Sequence, residues 1–399
     1  MKKSTFFDFL NRYQIDDFAS YLAGSQEDID FINWHDYCLP MSYSDTASEY
    51  KAVRSTCGLF DASPIKKYRI SGTDAGKFLD IVMTRQMSRQ KSMQVGYAVF
   101  CNEDGMLLDD GLLYKFSEDN YLLMVSEIDH DEHFAKISSR FGDLKIDEVS
   151  PSLSGLAFQG PKSCEILNHM GFSSIEDLKP FEIKIFPFGG GSVTAARVGF
   201  TADLGFELWF EPQLNTAVEE AIRDVETRIN VKIDGYGLKA LNALRLEGGF
   251  IVPGWETAQT FEDNEFERTP TELGLSWIVD LDHKEDFIGK TALLKEREQG
   301  PRFKTIGLIL DKAIGLDSDV QDGIDVFVLI HGDVLNVGTI PSVAWSYELR
   351  CWLGLASVKS GLDSSLEYHV QINDDQITCR QANLPFVKFD RYRQVPAPL

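Results

Sequence analysis

Strand-like and helical segments are interleaved irregularly over residues 68–300, and this irregularity restricts the folds that the chain can adopt. Short apolar runs such as residues 121–125 lie between amphipathic stretches such as residues 74–83. Their order does not follow the regular strand–helix–strand alternation of a doubly wound sheet. After about residue 300 the helical periodicity ends, and short strands separated by turn residues follow. The pattern therefore predicts an α+β architecture with a C-terminal β-barrel domain.

Three parts are expected along the chain. Residues 1–33 are predicted to form an N-terminal helical extension, because apolar residues between positions 6 and 10 recur with helical spacing. Residues 34–295 are predicted to hold two α+β subdomains, and residues 296–399 the β-barrel domain. The boundary falls at residues 295–301, where a charged helical segment ends in Gly-Pro.

The charge balance restricts the partners. With 39 basic and 62 acidic residues the formal net charge is −23, which repels nucleic-acid phosphates and anionic membrane surfaces. The six cysteines are widely scattered, so a disulfide framework is not expected. No apolar run approaches the length of a membrane span or of a signal-peptide core. We expect a cytoplasmic protein that binds neither nucleic acid nor membrane; assembly of identical subunits is left open.

Several familiar motifs are absent or weak. The sequence contains no Gly-x-Gly-x-x-Gly dinucleotide fingerprint and no Walker A loop. The three glycines at 189–191 lie between two strand-like runs, which favours a hairpin turn over a phosphate-binding loop. His130 and His133 have a spacing that could bind a metal together with a distant third ligand. Their acidic neighbours favour a solvated helix start instead, and no metal site is predicted.

Two adjacent carboxylates, Asp109 and Asp110, follow the apolar run Met106-Leu107-Leu108. An apolar run usually leads into the protein interior, where an unpaired charge is costly. One carboxylate of such a pair can face a cavity, where it can steer protons or stabilise a cationic group. Taken alone, the pattern is better explained by a carboxylate that caps a turn.

Residues 102–110, Asn-Glu-Asp-Gly-Met-Leu-Leu-Asp-Asp, resemble the Asn-x-x-Gly-Gly-Ile-x-Asp-Asp signature of the aminomethyltransferase (glycine-cleavage T-protein) family. Further segments resemble the motifs of that family in the same order, and they lie at residues 53–63, 156–162, 199–208, 244–247, 272–275 and 286–293. A single motif would be weak, whereas the ordered series covers the chain from about residue 34 to the barrel.

The resemblance implies a three-domain fold with tetrahydrofolate in a central hole. By position, Asp109 would lie beside the folate nitrogens as the catalytic residue, and Glu207 would bind the pterin ring. Tyr97 would line the same hole. Phe200 and Phe250 occupy positions where the family usually has tyrosines, so they would retain ring stacking without the hydroxyl hydrogen bonds.

The sequence departs from the family at positions that bear on the substrate. Leu241 replaces a family arginine, and Ala202-Asp203 replaces Gly-Glu. Residues 35–51 and 83–85 look closer to the folate-dependent demethylase branch, typified by dimethylsulfoniopropionate demethylase. The resemblance therefore implies a methyltransferase or demethylase that moves a one-carbon unit from a small N-, S- or O-methylated metabolite to tetrahydrofolate.

Two alternatives stay open. One is an aminomethyltransferase of a glycine-cleavage-type system, although an acidic lipoyl carrier would be repelled by the net charge of −23. The other is a non-catalytic folate-binding protein of iron–sulfur-cluster maintenance, although residues 248–256 lack the cysteine of that group's motif. Three tryptophans are candidates for a pocket that binds a methylated cation, namely Trp209, Trp255 and Trp345. For each of them, ordinary core or interface packing is the preferred interpretation.

Overall fold

A computed structural model describes residues 2–12, 31–34, 36–126, 128–257, 267–282, 286–311, 314–330, 333–363 and 365–395. Residues 13–30, which make up most of the predicted N-terminal extension, and His35 lie outside the described residues. Within the described ranges, no helix combines the length and the apolar character needed to cross a lipid bilayer.

Eight α-helices lie within the described residues. They are α1 (Phe7–Leu10), α2 (Thr46–Ser55), α3 (Ala75–Val82), α4 (Asp131–Ser138), α5 (Ser163–His169), α6 (Asn215–Ile229), α7 (Leu238–Glu247) and α8 (Lys290–Gln299). The strands before the barrel are β1 (Lys2–Lys3), β2 (Phe31–Trp34), β3 (Tyr37–Pro40), β4 (Gly58–Asp61), β5 (Lys66–Ser71), β6 (Gln94–Cys101), β7 (Leu107–Ser117), β8 (Asn120–Val125), β9 (Lys145–Glu148), β10 (Ser154–Gln159), β11 (Ile183–Phe188), β12 (Gly191–Ala196), β13 (Gly205–Phe210) and β14 (Asp234–Gly235). The remaining strands are β15 (Phe303–Leu310), β16 (Ile324–Ile330), β17 (Asp333–Ser346), β18 (Cys351–Lys359), β19 (Tyr368–Ile372) and β20 (Asp375–Ala382).

These strands form three open sheets and a closed barrel. The larger open sheets have the orders β6-β7-β8-β5-β9 and β11-β12-β13-β10-β4-β14, and β1-β3-β2 form a small third sheet. The last six strands close in the order β15-β18-β17-β16-β19-β20. The predicted α+β architecture with a C-terminal barrel is confirmed.

Each large sheet buries one face under helices and turns the other toward its neighbour. Helices α3 and α4 cover the five-stranded sheet, and α5 and α6 cover the six-stranded sheet. The inner faces share one apolar cluster, in which Tyr114 and Leu122 of the first sheet meet Ala196 and Trp209 of the second. A further cluster joins α2, α7 and β6 to Ala344 of the barrel. The region between the two sheets and the barrel is therefore the centre of the molecule.

The glycines at 189–191 form a hairpin, as predicted. Strands β11 and β12 pair antiparallel, and the two residues between them, Gly189 and Gly190, have φ values of 57° and 83°. A two-residue loop of this kind requires positive φ at both positions, which glycine adopts without steric cost. The loop is thus explained by local backbone geometry alone.

The C-terminal segment after the barrel returns to the first half of the chain. Arg391 donates through Nε to Oδ1 of Asp203 at 2.5 Å and through Nη2 to the backbone oxygen of Arg54 at 3.0 Å. The Arg54 guanidinium contacts Asp203 at 3.1 Å and Glu247 at 2.6 Å. Glu247 also accepts hydrogen bonds from Tyr50 and from the barrel residue Ser346. Buried charges therefore connect α2, α7, the barrel and the C-terminal segment.

Candidate functional site

Strand β7 presents its two adjacent carboxylates to opposite sides of the sheet. Phe100 pairs with Asp109, and Val99 pairs with Asp110. Because side chains alternate along a strand, Asp109 shares the outer face with Phe100, whereas Asp110 shares the inner face with Val99. The first carboxylate faces the helices that cover the sheet, and the second faces the centre of the molecule.

Asp109 is fully buried against His130 rather than beside a central hole. Its Oδ2 lies 2.7 Å from His130 Nε2, and its Oδ1 accepts a hydrogen bond from the backbone N–H of Asp110 at 2.8 Å. The location predicted for Asp109 therefore differs from the observed one. The pleat of β7 and the partner at His130 explain the difference.

His130 also differs from its prediction as part of a solvated helix start. The imidazole is 3% exposed, and its ring centroid lies 4.7 Å from that of Phe100. His133, one helical turn further on, stacks on the same phenylalanine with ring centroids 6.1 Å apart. The pKa of His133 is lowered to about 4, mainly by burial and next by the nearby His130. Both rings belong to the layer between the sheet and α4.

Asp110 occupies the inner face with Tyr97 as its hydrogen-bond donor. The Tyr97 hydroxyl donates a hydrogen bond to Oδ2 of Asp110. Both residues keep some exposure to solvent. The pKa of Asp110 is raised to about 8, mainly by burial and next by the charge of Asp109. The Tyr97 hydrogen bond acts in the opposite direction. A carboxyl group with a pKa near neutrality can exchange a proton or bind a cation at physiological pH.

A second inward carboxylate, Glu207, lies on β13 of the opposite sheet. Its Oε2 accepts hydrogen bonds from the Tyr114 hydroxyl at 3.1 Å and from Trp209 Nε1 at 3.3 Å. Burial raises the pKa of Glu207 to about 6, against the two hydrogen bonds, which lower it. Within the described residues these bonds all reach Oε2, so Oε1 is left for a ligand. Glu207 therefore suits a ligand edge that donates hydrogen bonds.

The two carboxylates belong to one arrangement along β7. Tyr114 follows Asp110 by four residues on the same face of the strand, which separates their Cα atoms by roughly 13 Å. Asp110 thus lies at one end of this face. Tyr114, which donates a hydrogen bond to Glu207, lies at the other end. We call the set of Tyr97, Asp110, Tyr114, Glu207 and Trp209 the central site. Tyr114 was missed from the sequence, although its even spacing from Asp110 on a strand was a usable signal.

Phe200 and Phe250, predicted to stack on the folate, stack on each other. Their ring centroids are 5.3 Å apart with an interplanar angle of 19°. Phe200 directly precedes the Thr201–Asp203 turn, which binds Arg54. Phe250 directly follows Gly249, where an added Cβ would contact Leu384 of the C-terminal segment. Their predicted contact with folate stays a prediction.

The three tryptophans predicted as pocket candidates lie in different surroundings. Trp209 is 2% exposed within the central site, and its ring lies 5.2 Å from Nζ of Lys67. The ring of Trp255 lies 5.2 Å from the Arg245 guanidinium. Trp345 pairs with Trp352 in the barrel, with centroids 6.0 Å apart. The structure does not assemble them into one aromatic box, because each belongs to a different structural unit.

A different tryptophan lies next to the central site. The Trp277 ring stacks on Tyr97 with centroids 6.0 Å apart and an interplanar angle of 21°. Leu241, which stands where the family has an arginine, is partly buried in the same apolar cluster as Tyr97. This neighbourhood therefore offers aromatic rings, an aliphatic side chain and the Asp110 carboxyl, without the cation that an arginine would supply.

Comparison with known proteins gives consistent matches. The sequence profile described as "GCVT N-terminal domain" matches residues 23–283. An aminomethyltransferase of Thermoanaerobacter pseudethanolicus is 31% identical over 364 residues, which cover 90% of each chain. An aminomethyltransferase of Clostridium botulinum is 33% identical over 296 residues, which cover 71% of this chain and 75% of the relative. Among solved structures, the glycine cleavage system aminomethyltransferase T from Bartonella henselae superposes with a TM-score of 0.78 at 22% identity, covering 99% of both chains.

Proposed function

This chain belongs to the aminomethyltransferase (GCVT) family, and on that premise we propose that it transfers a one-carbon unit to tetrahydrofolate in its central site. The observation that supports the proposal is that Asp110 lies on the inner face of β7, and that Tyr114 on the same face hydrogen-bonds Glu207 of the opposite strand β13. When bound, tetrahydrofolate supplies the nitrogens that take up the one-carbon unit.

Glu207 is the residue that fits the pterin. The 2-amino group and the N3–H of a pterin form a donor edge, and a carboxylate accepts from both. Tyr114 and Trp209 orient Glu207 by donating to Oε2 at 3.1 Å and 3.3 Å, which leaves Oε1 directed to a ligand. Their fixed hydrogen bonds reduce the ordering that binding would otherwise require.

Asp110 takes the role that the sequence resemblance assigned to Asp109. It is the carboxyl group of the pair that faces the centre, and Tyr97 holds it through a hydrogen bond. In its ionised form Asp110 stabilises positive charge on the transferring nitrogen, and in its protonated form it donates a proton. Asp109 then influences Asp110 from the outer face of the strand, because its side chain accepts a hydrogen bond from the Asp110 backbone N–H.

The donor that we favour is an aminomethyl group on a lipoyl carrier. Relatives that are 31% and 33% identical over most of this chain are named aminomethyltransferases, which supports this donor. A specific observation favours a second candidate, a small methylated metabolite, as in the demethylase branch. Leu241 replaces a family arginine at the edge of the apolar cluster that Tyr97 also contacts, and the net charge of −23 repels an acidic carrier.

The test combines binding with two assays. Calorimetry with tetrahydrofolate is expected to detect binding by the wild-type protein and much weaker binding by Glu207→Gln. Ammonia release with an aminomethyl-loaded lipoyl carrier would support the first donor. Tetrahydrofolate-dependent demethylation of a small metabolite would support the second. Absence of any heat with tetrahydrofolate would refute the proposal as a whole.

A further inference from the structure

Trp277 is exposed to an extent that its position in the sequence does not suggest. It is 69% exposed, which is the largest value among the large hydrophobic side chains that the structure describes. Its neighbours Leu275 and Ile278 are buried at 9% and 2%. Two hydrogen bonds to Thr84 anchor the segment. Thr84 Oγ1 donates to the Ile278 carbonyl at 3.3 Å, and the Thr84 carbonyl accepts from the Asp280 N–H at 3.0 Å. Trp277 is therefore the large apolar side chain of this anchored turn that is exposed to solvent, next to the small exposed Ser276.

An isolated exposed tryptophan would need no explanation, but this one continues the central site. One face of its ring covers Tyr97 at 6.0 Å, and Tyr97 donates its hydroxyl hydrogen to Asp110. The stacked rings of Trp277 and Tyr97 thus connect the exposed surface with the Asp110 carboxyl group. We treat them as the route by which a ligand reaches Asp110.

The chemistry along this route selects cations. The faces of aromatic rings attract cations through their quadrupole, and a tryptophan face does so most strongly. The Asp110 carboxyl adds negative charge in its ionised form, and a cation nearby favours that form. The net charge of −23 strengthens the preference over longer distances. An anionic group, such as the glutamate tail of a folate, is disfavoured at this end.

Building on the proposed function, we propose that Trp277 and Tyr97 bind the alkylammonium group of the one-carbon donor and present it to Asp110. The inference names a donor-binding residue and a substrate class. The aminomethyl group of a lipoyl carrier ends in a primary ammonium, and an N-methylated metabolite carries a tertiary or quaternary ammonium. Both share the cationic nitrogen next to the carbon that is transferred.

The direct test uses probes of matched shape. Choline carries a trimethylammonium group, and 3,3-dimethyl-1-butanol is its neutral counterpart with carbon in place of nitrogen. With the wild-type protein, choline is expected to bind more tightly than the neutral probe, measured by calorimetry in the presence and absence of tetrahydrofolate. Equal binding of the two probes, or binding of neither, would overturn the inference.

Variants separate the aromatic face from simple apolar contact. Trp277→Leu is expected to weaken choline binding by about 2- to 30-fold, with a smaller loss in Trp277→Phe. Tetrahydrofolate affinity is expected to stay within about twofold in both variants, since hydrogen bonding at Glu207 is unchanged. Trp352→Phe, a partly buried tryptophan in the barrel, is the matched control and should behave like the wild type. Equal choline affinity in all three variants and the wild type would reject the role of Trp277.

Two arms distinguish the sources of the cation. An aminomethyl-loaded lipoyl carrier and a free N-methylated ammonium are each tested as donors with wild type and Trp277→Leu. A rise in KM for either donor, with kcat less affected, supports the inference and identifies the source. A loss of tetrahydrofolate binding in Trp277→Leu would instead place this ring on the folate. That outcome contradicts the inference while leaving the proposed function intact.

Discussion

Asp109 and Asp110 are adjacent in the chain, yet one faces His130 behind the sheet and the other faces Tyr97 in the centre of the molecule. The two carboxyl groups are nevertheless coupled. Asp109 accepts the backbone N–H of Asp110 at 2.8 Å, and its charge is the second cause, after burial, of the raised pKa of Asp110. The outer carboxylate thereby influences an inner one that it does not touch through side-chain atoms.

The first prediction separates the two positions by activity. Asp110→Asn is expected to reduce kcat by about 100- to 1000-fold, because it removes the charge next to the transferring nitrogen. The fold-reduction in kcat is expected to be at least about ten times smaller for Asp109→Asn, because the inner carboxyl remains. Steady-state kinetics with a saturating donor measures both. A larger loss in Asp109→Asn, with an unchanged melting temperature, would restore the sequence-based assignment.

A second prediction concerns pH. The titratable groups that act on Asp110 are Asp109, Tyr97 and Glu256, and the pKa of Asp110 is raised to about 8. If transfer uses the ionised carboxylate, kcat/KM rises with pH through this range. Asp109→Asn removes a negative charge, so it lowers the pKa of Asp110 and moves the rise to lower pH. Asp104→Asn, at an exposed position of the turn before β7, controls for the loss of one charge and should leave the profile unchanged.

Tetrahydrofolate affinity should depend on the protonation of Glu207. Burial raises the pKa of Glu207 to about 6, so the carboxylate is lost as pH falls through that value. Affinity measured by calorimetry is therefore expected to decline between pH 7 and about pH 5. Glu207→Gln is expected to bind about 10- to 150-fold more weakly at pH 7 and to lose this pH dependence. Unchanged pH dependence in the variant would show that another group is responsible.

Stability should be most sensitive to the arginine that bridges two buried carboxylates. Arg54 contacts Glu247 at 2.6 Å and Asp203 at 3.1 Å, and the side chains of both acids are fully buried. Arg54→Ala leaves Glu247 without a cation and is expected to lower the free energy of unfolding by about 3–5 kcal/mol. The comparison variant is Arg69→Ala. Among the described residues, the Arg69 side chain hydrogen-bonds the neutral side chain of Asn120. Denaturant unfolding measures both, and equal effects would contradict the prediction.

Much of this architecture was readable from the sequence, because it rests on local periodicity. The strand-rich last quarter closes into a barrel, and the glycines at 189–191 turn a hairpin. The sequence did not show which of Asp109 and Asp110 faces the centre of the molecule. Either residue can face inward, and a shift of one position exchanges the faces. The register is set by an irregularity between Phe100 and Cys101 and by a histidine 21 residues away from Asp109.

Trp277 shows the complementary difficulty. It lies in the apolar stretch 273–279, where composition favours burial for every large side chain. Only the tertiary anchoring of its neighbours turns it outward, and no periodicity in the sequence reports that anchoring. The residues that approach the donor were therefore less predictable than the strands that carry them.

The contacts of Arg391 also bear on the order of events during synthesis. Asp203 and Arg54 are both synthesised well before Arg391, whose guanidinium pairs with Asp203 at 2.5 Å. Until then the acidic side chain has one cation fewer, and burying it is correspondingly less favourable. We infer that the two sheets reach their final packing only after Arg391 has been synthesised, so nascent chains that stall within the barrel should remain sensitive to proteases.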